Sequence, residues 1–139
     1  MNHYKLSELS VGMTESFTVT VTEEMLDAFR GYSGDLNPLH NDEEYARARG
    51  YAGRVVFGML CAGFYSTLAG VYLPGEFCLL HEVETKFKKP VFVGDVLTVT
   101  GRVSEVQDAF GRIEIDARIL NQDGKTVNRG RIIAGVTER

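Results

Sequence analysis

Asp35 and His40 stand five residues apart on either side of Asn37-Pro38, in the stretch Tyr32-Ser33-Gly34-Asp35-Leu36-Asn37-Pro38-Leu39-His40. A carboxylate and an imidazole that share one water can do acid–base chemistry: the carboxylate takes the water's proton while the imidazole orients the water or shuttles protons. Pro38 pushes the residue before it out of helical geometry, so the chain turns between the two groups. Spacing alone does not bring them together. The same residues also support a plainer reading, in which Asp35 and Asn37 hold a side-chain-supported turn and His40 caps the helix that follows.

The elements around this stretch set where it can sit. Phe17, Val19 and Val21 alternate with polar residues across Ser16–Val21, a strand pattern. Thr22 is placed as a helix N-cap with Glu23 and Glu24 in the favourable first turn, and the helix runs through Met25, Leu26 and Phe29 to near Gly31. Residues 32–41 are expected to be irregular. Asp42 caps a short helix through Tyr45, Ala46 and Ala48, and a long apolar helix runs from Gly58 to Leu73, where Pro74-Gly75 stops it. The remainder is β-rich: Cys78–Phe87, Val96–Val106, Arg112–Leu120 and Thr126–Val136, separated by turn chemistry at Gly94-Asp95, 107–111 and Gln122-Asp123-Gly124. One early strand, then helices, then a run of antiparallel strands gives an α+β class, with one hydrophobic helix lying on a curled antiparallel sheet. Such a sheet has exposed edges, and a second copy would extend it, so a homodimer or higher homo-oligomer is expected.

The 139 residues suit a single domain spanning 1–139. A net charge of −4 argues against a chain that coats nucleic acid. Cys61 and Cys78 lack the Cys-x-x-Cys spacing of a zinc site or disulfide framework, and no other ligand spacing accompanies His40, so no metal and no cofactor is expected. The opening residues show no charged-then-apolar signal pattern, which points to the cytoplasm. Val55–Gly75 carries no charge, but its glycines, Ser66 and Thr67 and the lack of a basic flank favour the buried axis of a soluble fold over a membrane span.

Ser33-Gly34-Asp35-x-Asn37-Pro38-Leu39-His40, followed after five residues by Ala46, resembles the signature of MaoC-like (R)-specific enoyl-CoA hydratases. The resemblance continues through Ala48, Gly50-Tyr51 and Gly53, through Val55–Leu60, and through Lys86-Phe87 with Pro90–Asp95. Order and spacing agree from roughly residue 5 to residue 136. The resemblance implies a hot-dog fold, a sheet wrapped around a central helix. It implies reversible addition of water across the C2=C3 bond of an acyl thioester, carried by CoA or an acyl carrier protein. It matches Asp35 and His40 to the catalytic pair and Gly58 to the backbone N–H that holds the developing enolate oxygen. Ser66 matches a serine that supports water or substrate in some members, its plain alternative being a hydroxyl bonded to the preceding turn.

Many relatives carry histidine immediately before the glycine matching Gly58; here that residue is Phe57, which bears on pocket polarity and on which acyl chain fits. Asn37, Phe57, Lys86 and Lys88 are taken as substrate-binding, with plainer roles beside that: a turn residue, a core residue, and charges protecting a strand edge. His3 is placed in a loose terminus and His81 at a pairing or interface position. A hot-dog thioesterase and a non-catalytic acyl-CoA or acyl-carrier binding module are the competing functions.

Overall fold

The computed structural model describes residues 1–139. Five strands, β1 (Thr14–Thr20), β2 (Cys78–Phe87), β3 (Val96–Gln107), β4 (Arg112–Leu120) and β5 (Thr126–Val136), form one antiparallel sheet in the order β1-β3-β4-β5-β2. Between β1 and β2 lie four helices: α1 (Glu23–Ser33), α2 (Pro38–Asn41), α3 (Glu43–Ala48) and α4 (Gly58–Thr67).

Period-two alternation decides which sheet face meets α4. In β4, Ile113, Ile115, Ala117 and Ile119 are buried, while the residues between them carry charge and face out. Leu97, Val99 and Val103 do the same in β3. α4 lies across this face, so Tyr65 and Leu68 join the same core. The helix and sheet approach each other where the sheet has no side chain. A Cβ at Gly130 would stand 2.5 Å from the Tyr65 ring, and one at Gly101 would stand 2.8 Å from Leu68. Gly130→Ala is therefore expected to destabilise the fold by about 1–3 kcal/mol through overpacking, read as a lower urea midpoint at unchanged slope.

The local chemistry of the helix ends follows the sequence closely. Thr22 Oγ1 accepts from Met25 N at 3.3 Å, and Asp42 Oδ1 accepts from Tyr45 N at 3.0 Å. α1 runs past Gly31 to Ser33 and ends on Gly34, whose φ of 70° is the left-handed cap that glycine adopts without strain. Three expectations are corrected. The irregular stretch after α1 contains the helical turn α2, because Asn37 caps it and Pro38 occupies its first position. The central helix is α-helical only to Thr67; residues Leu68–Tyr72 form a π-turn, which widens the helix where Leu68 and Ala69 pack into the core. The amino terminus is tied down: Asn2 N bonds Val71 O at 2.8 Å, and His3 Nδ1 meets Glu76 Oε2 at 2.6 Å.

β2 is an edge strand. Thr85 and Phe87 face the helix side, since Thr85 bonds Asn128 there and a Cβ on Gly58 would strike Phe87 at 2.8 Å. Val83, on the same face, stays 37% exposed and Phe87 55%. α4 thus leaves this end of the sheet uncovered. No helix is long and apolar enough to cross a membrane.

Candidate functional site

The loop carrying Asp35 is built almost wholly from its own polar side chains. Ser33 Oγ donates to Phe29 O at 2.6 Å and accepts from Asp35 N at 3.2 Å. Asp35 Oδ1 accepts from Asn37 N at 3.1 Å, and Asn37 Oδ1 accepts from Leu39 N at 3.0 Å. Asn41 Nδ2 closes the loop by donating to the carbonyls of Asp35 (3.1 Å) and Asn37 (2.8 Å), and its buried Oδ1 has no partner. The turn reading of Asp35 and Asn37 therefore holds. It uses one carboxylate oxygen of Asp35; the other has no protein partner, and the residue is exposed.

His40 does not cap α3. Its Nδ1 lies 2.7 Å from the Val55 carbonyl, which can only accept, so the proton sits on Nδ1 and Nε2 is left as an acceptor for a ligand or water. The ring packs on Phe57 with centroids 4.5 Å apart. Phe57 is fully buried, touches Phe29 as well, and is a core residue beneath the imidazole. Sequence reasoning passed over Arg54. Its Nε donates to His40 O at 2.7 Å and its guanidinium reaches Asp27 Oδ1 at 3.5 Å, tying the histidine's backbone to α1. An arginine in a short loop beside an apolar run gives no signal of this until the fold pairs it.

His40 and Gly58 meet in one cleft of about 290 Å³, lined also by Val55, Val56, Cys61, Phe87, Lys88, Lys89, Pro90, Val91, Val127 and Asn128. Gly58 opens α4. Phe57 offers no side-chain cap, and while Leu60 N donates to Phe57 O at 3.1 Å, the N–H groups of Gly58 and Met59 lack acceptors within the helix and leave positive potential at its start. A Cβ at Gly58 would stand 2.8 Å from the Phe87 ring, so the glycine lets helix and ring approach closely.

The other expected residues are scattered. Lys88 lines the cleft, and Lys89 joins it there. Lys86 sits on the outer sheet face in a groove with Glu84, Arg129 and Arg131, a groove Lys88 also borders. Ser66 lies on an exposed flank of α4, turned away from the face that carries Cys61 and Tyr65. Neither it nor Asp35 lines the cleft within a single chain, and no hydrogen bond joins Asp35 to His40.

Cys61 lines the cleft as well, and burial, with a smaller contribution from the Asp95 charge, pushes its thiol up to about 12. The reactive thiolate is thus scarce near neutral pH. Native protein treated with iodoacetamide at about pH 8 is expected to leave Cys61 unlabelled, while urea-unfolded protein labels at both cysteines; mass mapping distinguishes them.

Residues 9–124 match the family model described as "MaoC like domain". Over 102 residues the chain is 37% identical to an (R)-specific enoyl-CoA hydratase of Rhodospirillum rubrum, covering 73% of this chain and 70% of that protein. Over 125 residues it is 31% identical to the (R)-specific enoyl-CoA hydratase of Aeromonas caviae, covering 90% and 93%. Among solved structures it superposes on the unliganded R-hydratase PhaJ1 of Pseudomonas aeruginosa with a TM-score of 0.91 at 32% identity, covering 97% of this chain and 86% of that one. The sheet wrapped on a central helix is the hot-dog fold of these neighbours, and the chain belongs to the MaoC-like domain family.

Proposed function

We propose that the protein is an (R)-specific enoyl-CoA hydratase that adds water reversibly across the C2=C3 bond of an acyl thioester. The observation that carries this reading is the convergence of His40, its Nε2 free, with the uncapped start of α4 in a single mostly apolar cleft. In hydration, Asp35 removes a proton from the attacking water through its unpartnered oxygen as the water's oxygen bonds C3. His40 Nε2 orients that water and takes part in proton transfer toward C2. The N–H of Gly58 holds the thioester oxygen as enolate character develops. Dehydration runs the same steps in reverse. No cofactor takes part, and Lys88 at the cleft wall is placed to attract the phosphates of the carrier.

Asp35 is exposed in a single chain, and a carboxylate in bulk water is a weak base. A homodimer resolves this. Val83 and Phe87 at the uncovered end of the sheet, and Tyr32, Leu36 and Met59 near Asp35 and along α4, are exposed apolar side chains that a second copy would cover. The cytoplasm is the proposed compartment.

The test is incubation of purified protein with crotonyl-CoA. Loss of enoyl-thioester absorbance, with a product oxidised only by an (R)-3-hydroxyacyl-CoA dehydrogenase, is the expected result. Release of free thiol would replace this reading with a thioesterase. Binding of acyl-CoA without turnover would reduce the protein to a carrier-binding module.

A further inference from the structure

Asn128 is the one buried polar side chain of the core, 1% exposed, on the face of β5 that meets α4. Its amide is clamped from two sides. Tyr65 Oη donates to Asn128 Oδ1 at 2.8 Å, and Asn128 Nδ2 donates to Thr85 Oγ1 at 2.8 Å. A carboxamide carries two N–H donors, and this clamp uses one of them. Turning the amide over does not change that count. Nδ2 would then donate to the tyrosine and the threonine would donate to Oδ1, and one N–H would still have no protein partner.

The position of this amide gives the free N–H a target. Gly58, Cys61 and Tyr65 succeed one another along one face of α4, with Phe87 over Gly58 and Thr85 two residues back along β2. Asn128 pairs in register with Phe87, its amide reaches from there toward Thr85 and Tyr65, and it lines the same cleft as His40 and Gly58. Val55, Val56, Val91 and Val127 line the cleft with apolar side chains, and its other polar side chains are His40, Cys61, Lys88 and Lys89. A buried donor without a partner is costly, and two side chains, Tyr65 on α4 and Thr85 on β2, hold this one in place.

We propose that Asn128 is a ligand-facing donor that selects for an acceptor oxygen on the bound thioester, beyond the thioester carbonyl that Gly58 receives. This inference rests on the reading of the cleft as the thioester site. The oxygen belongs either to a polar substituent of the acyl chain or to the pantetheine arm. Both present a neutral acceptor on an otherwise apolar ligand.

The test compares ω-hydroxyhexenoyl-CoA with heptenoyl-CoA, which has the same shape without the oxygen, on wild type and on two variants. Asn128→Leu removes the donor but strands the Tyr65 and Thr85 hydroxyls. Asn128→Leu with Tyr65→Phe and Thr85→Val removes all three polar groups together and so leaves no buried orphan. A loss of about tenfold or more in kcat/KM on the hydroxylated substrate alone, in both variants, assigns the donor to the acyl chain. The same loss on both substrates, carried by KM, assigns it to the pantetheine arm. A lower melting temperature with kcat/KM unchanged on both substrates would make Asn128 purely structural and overturn the proposal. Calorimetric binding of the two thioesters repeats the comparison without turnover, so a chain that binds but does not hydrate would sink the reaction and leave the role of Asn128 still readable.

Discussion

Asp35→Asn is expected to lower crotonyl-CoA turnover by about two to four orders of magnitude while leaving the melting curve in place. The two halves of that result come from different atoms. Asparagine keeps an Oδ1 that can accept from Asn37 N, so the loop retains the bond that shapes it. What it loses is the second, unpartnered oxygen that would take the proton. His40→Asn is the matching change on the other side. Its amide N–H can still reach the Val55 carbonyl, but it has no second ring nitrogen to face the cleft. A fall of similar size is expected there. Either variant retaining more than about a tenth of wild-type kcat would remove that residue from the chemistry, since general acid–base groups contribute far more than this.

The second large effect concerns β2. Its outer backbone edge is unpaired, and Val83 and Phe87 on its helix side are uncovered. Unpaired edges of this length template pairing with another strand. Val83→Asp puts a charge into the surface that a second copy would bury, and a buried charge without a partner costs about 3–5 kcal/mol. A loss of that size weakens association by more than about a hundredfold. Light scattering is expected to give a multiple of the 15.4 kDa chain for the wild type and 15.4 kDa for the variant, with hydration falling alongside. A wild type that stays monomeric at micromolar concentration would defeat the dimer, and with it the explanation of how Asp35 is shielded from solvent.

Much of the fold was legible in one dimension because its signals are local. Alternation in 112–120 marks a strand with one buried face, and Thr22 and Asp42 announce helix starts by side-chain chemistry that needs no tertiary context. The π-turn at Leu68–Tyr72 was not legible, since an apolar run without caps or charges reads the same whether wound by four residues or five. The site divides in the same way. The polar run around Asp35 signals a turn and an acid–base pair at once, and the structure shows the turn and places His40 in the cleft. Ser66 shows the limit of spacing: lying two turns beyond Gly58 fixes its height on α4 but not which neighbours its flank meets. Asn128 did have a signal, a polar residue at an inward position of β5, in step with Gly130 and Ile132. Its partners Tyr65 and Thr85 lie 63 and 43 residues away, and only the folded register brings them together.

The loop of Asp35 is held by bonds that span two to six residues, and its hydrogen bonds to the rest of the molecule run through His40, Leu39 and Arg54 to Val55 and Asp27, with the His40 ring packed on Phe57. A segment tethered in that way melts as its own unit. On warming, catalysis should fail before the sheet does: amides of residues 35–41 exchange with deuterium while those of β4 remain protected. The activity half-point then lies below the global transition and recovers on cooling. Heat tolerance of the enzyme is thus set by a few asparagines and a serine, not by its core.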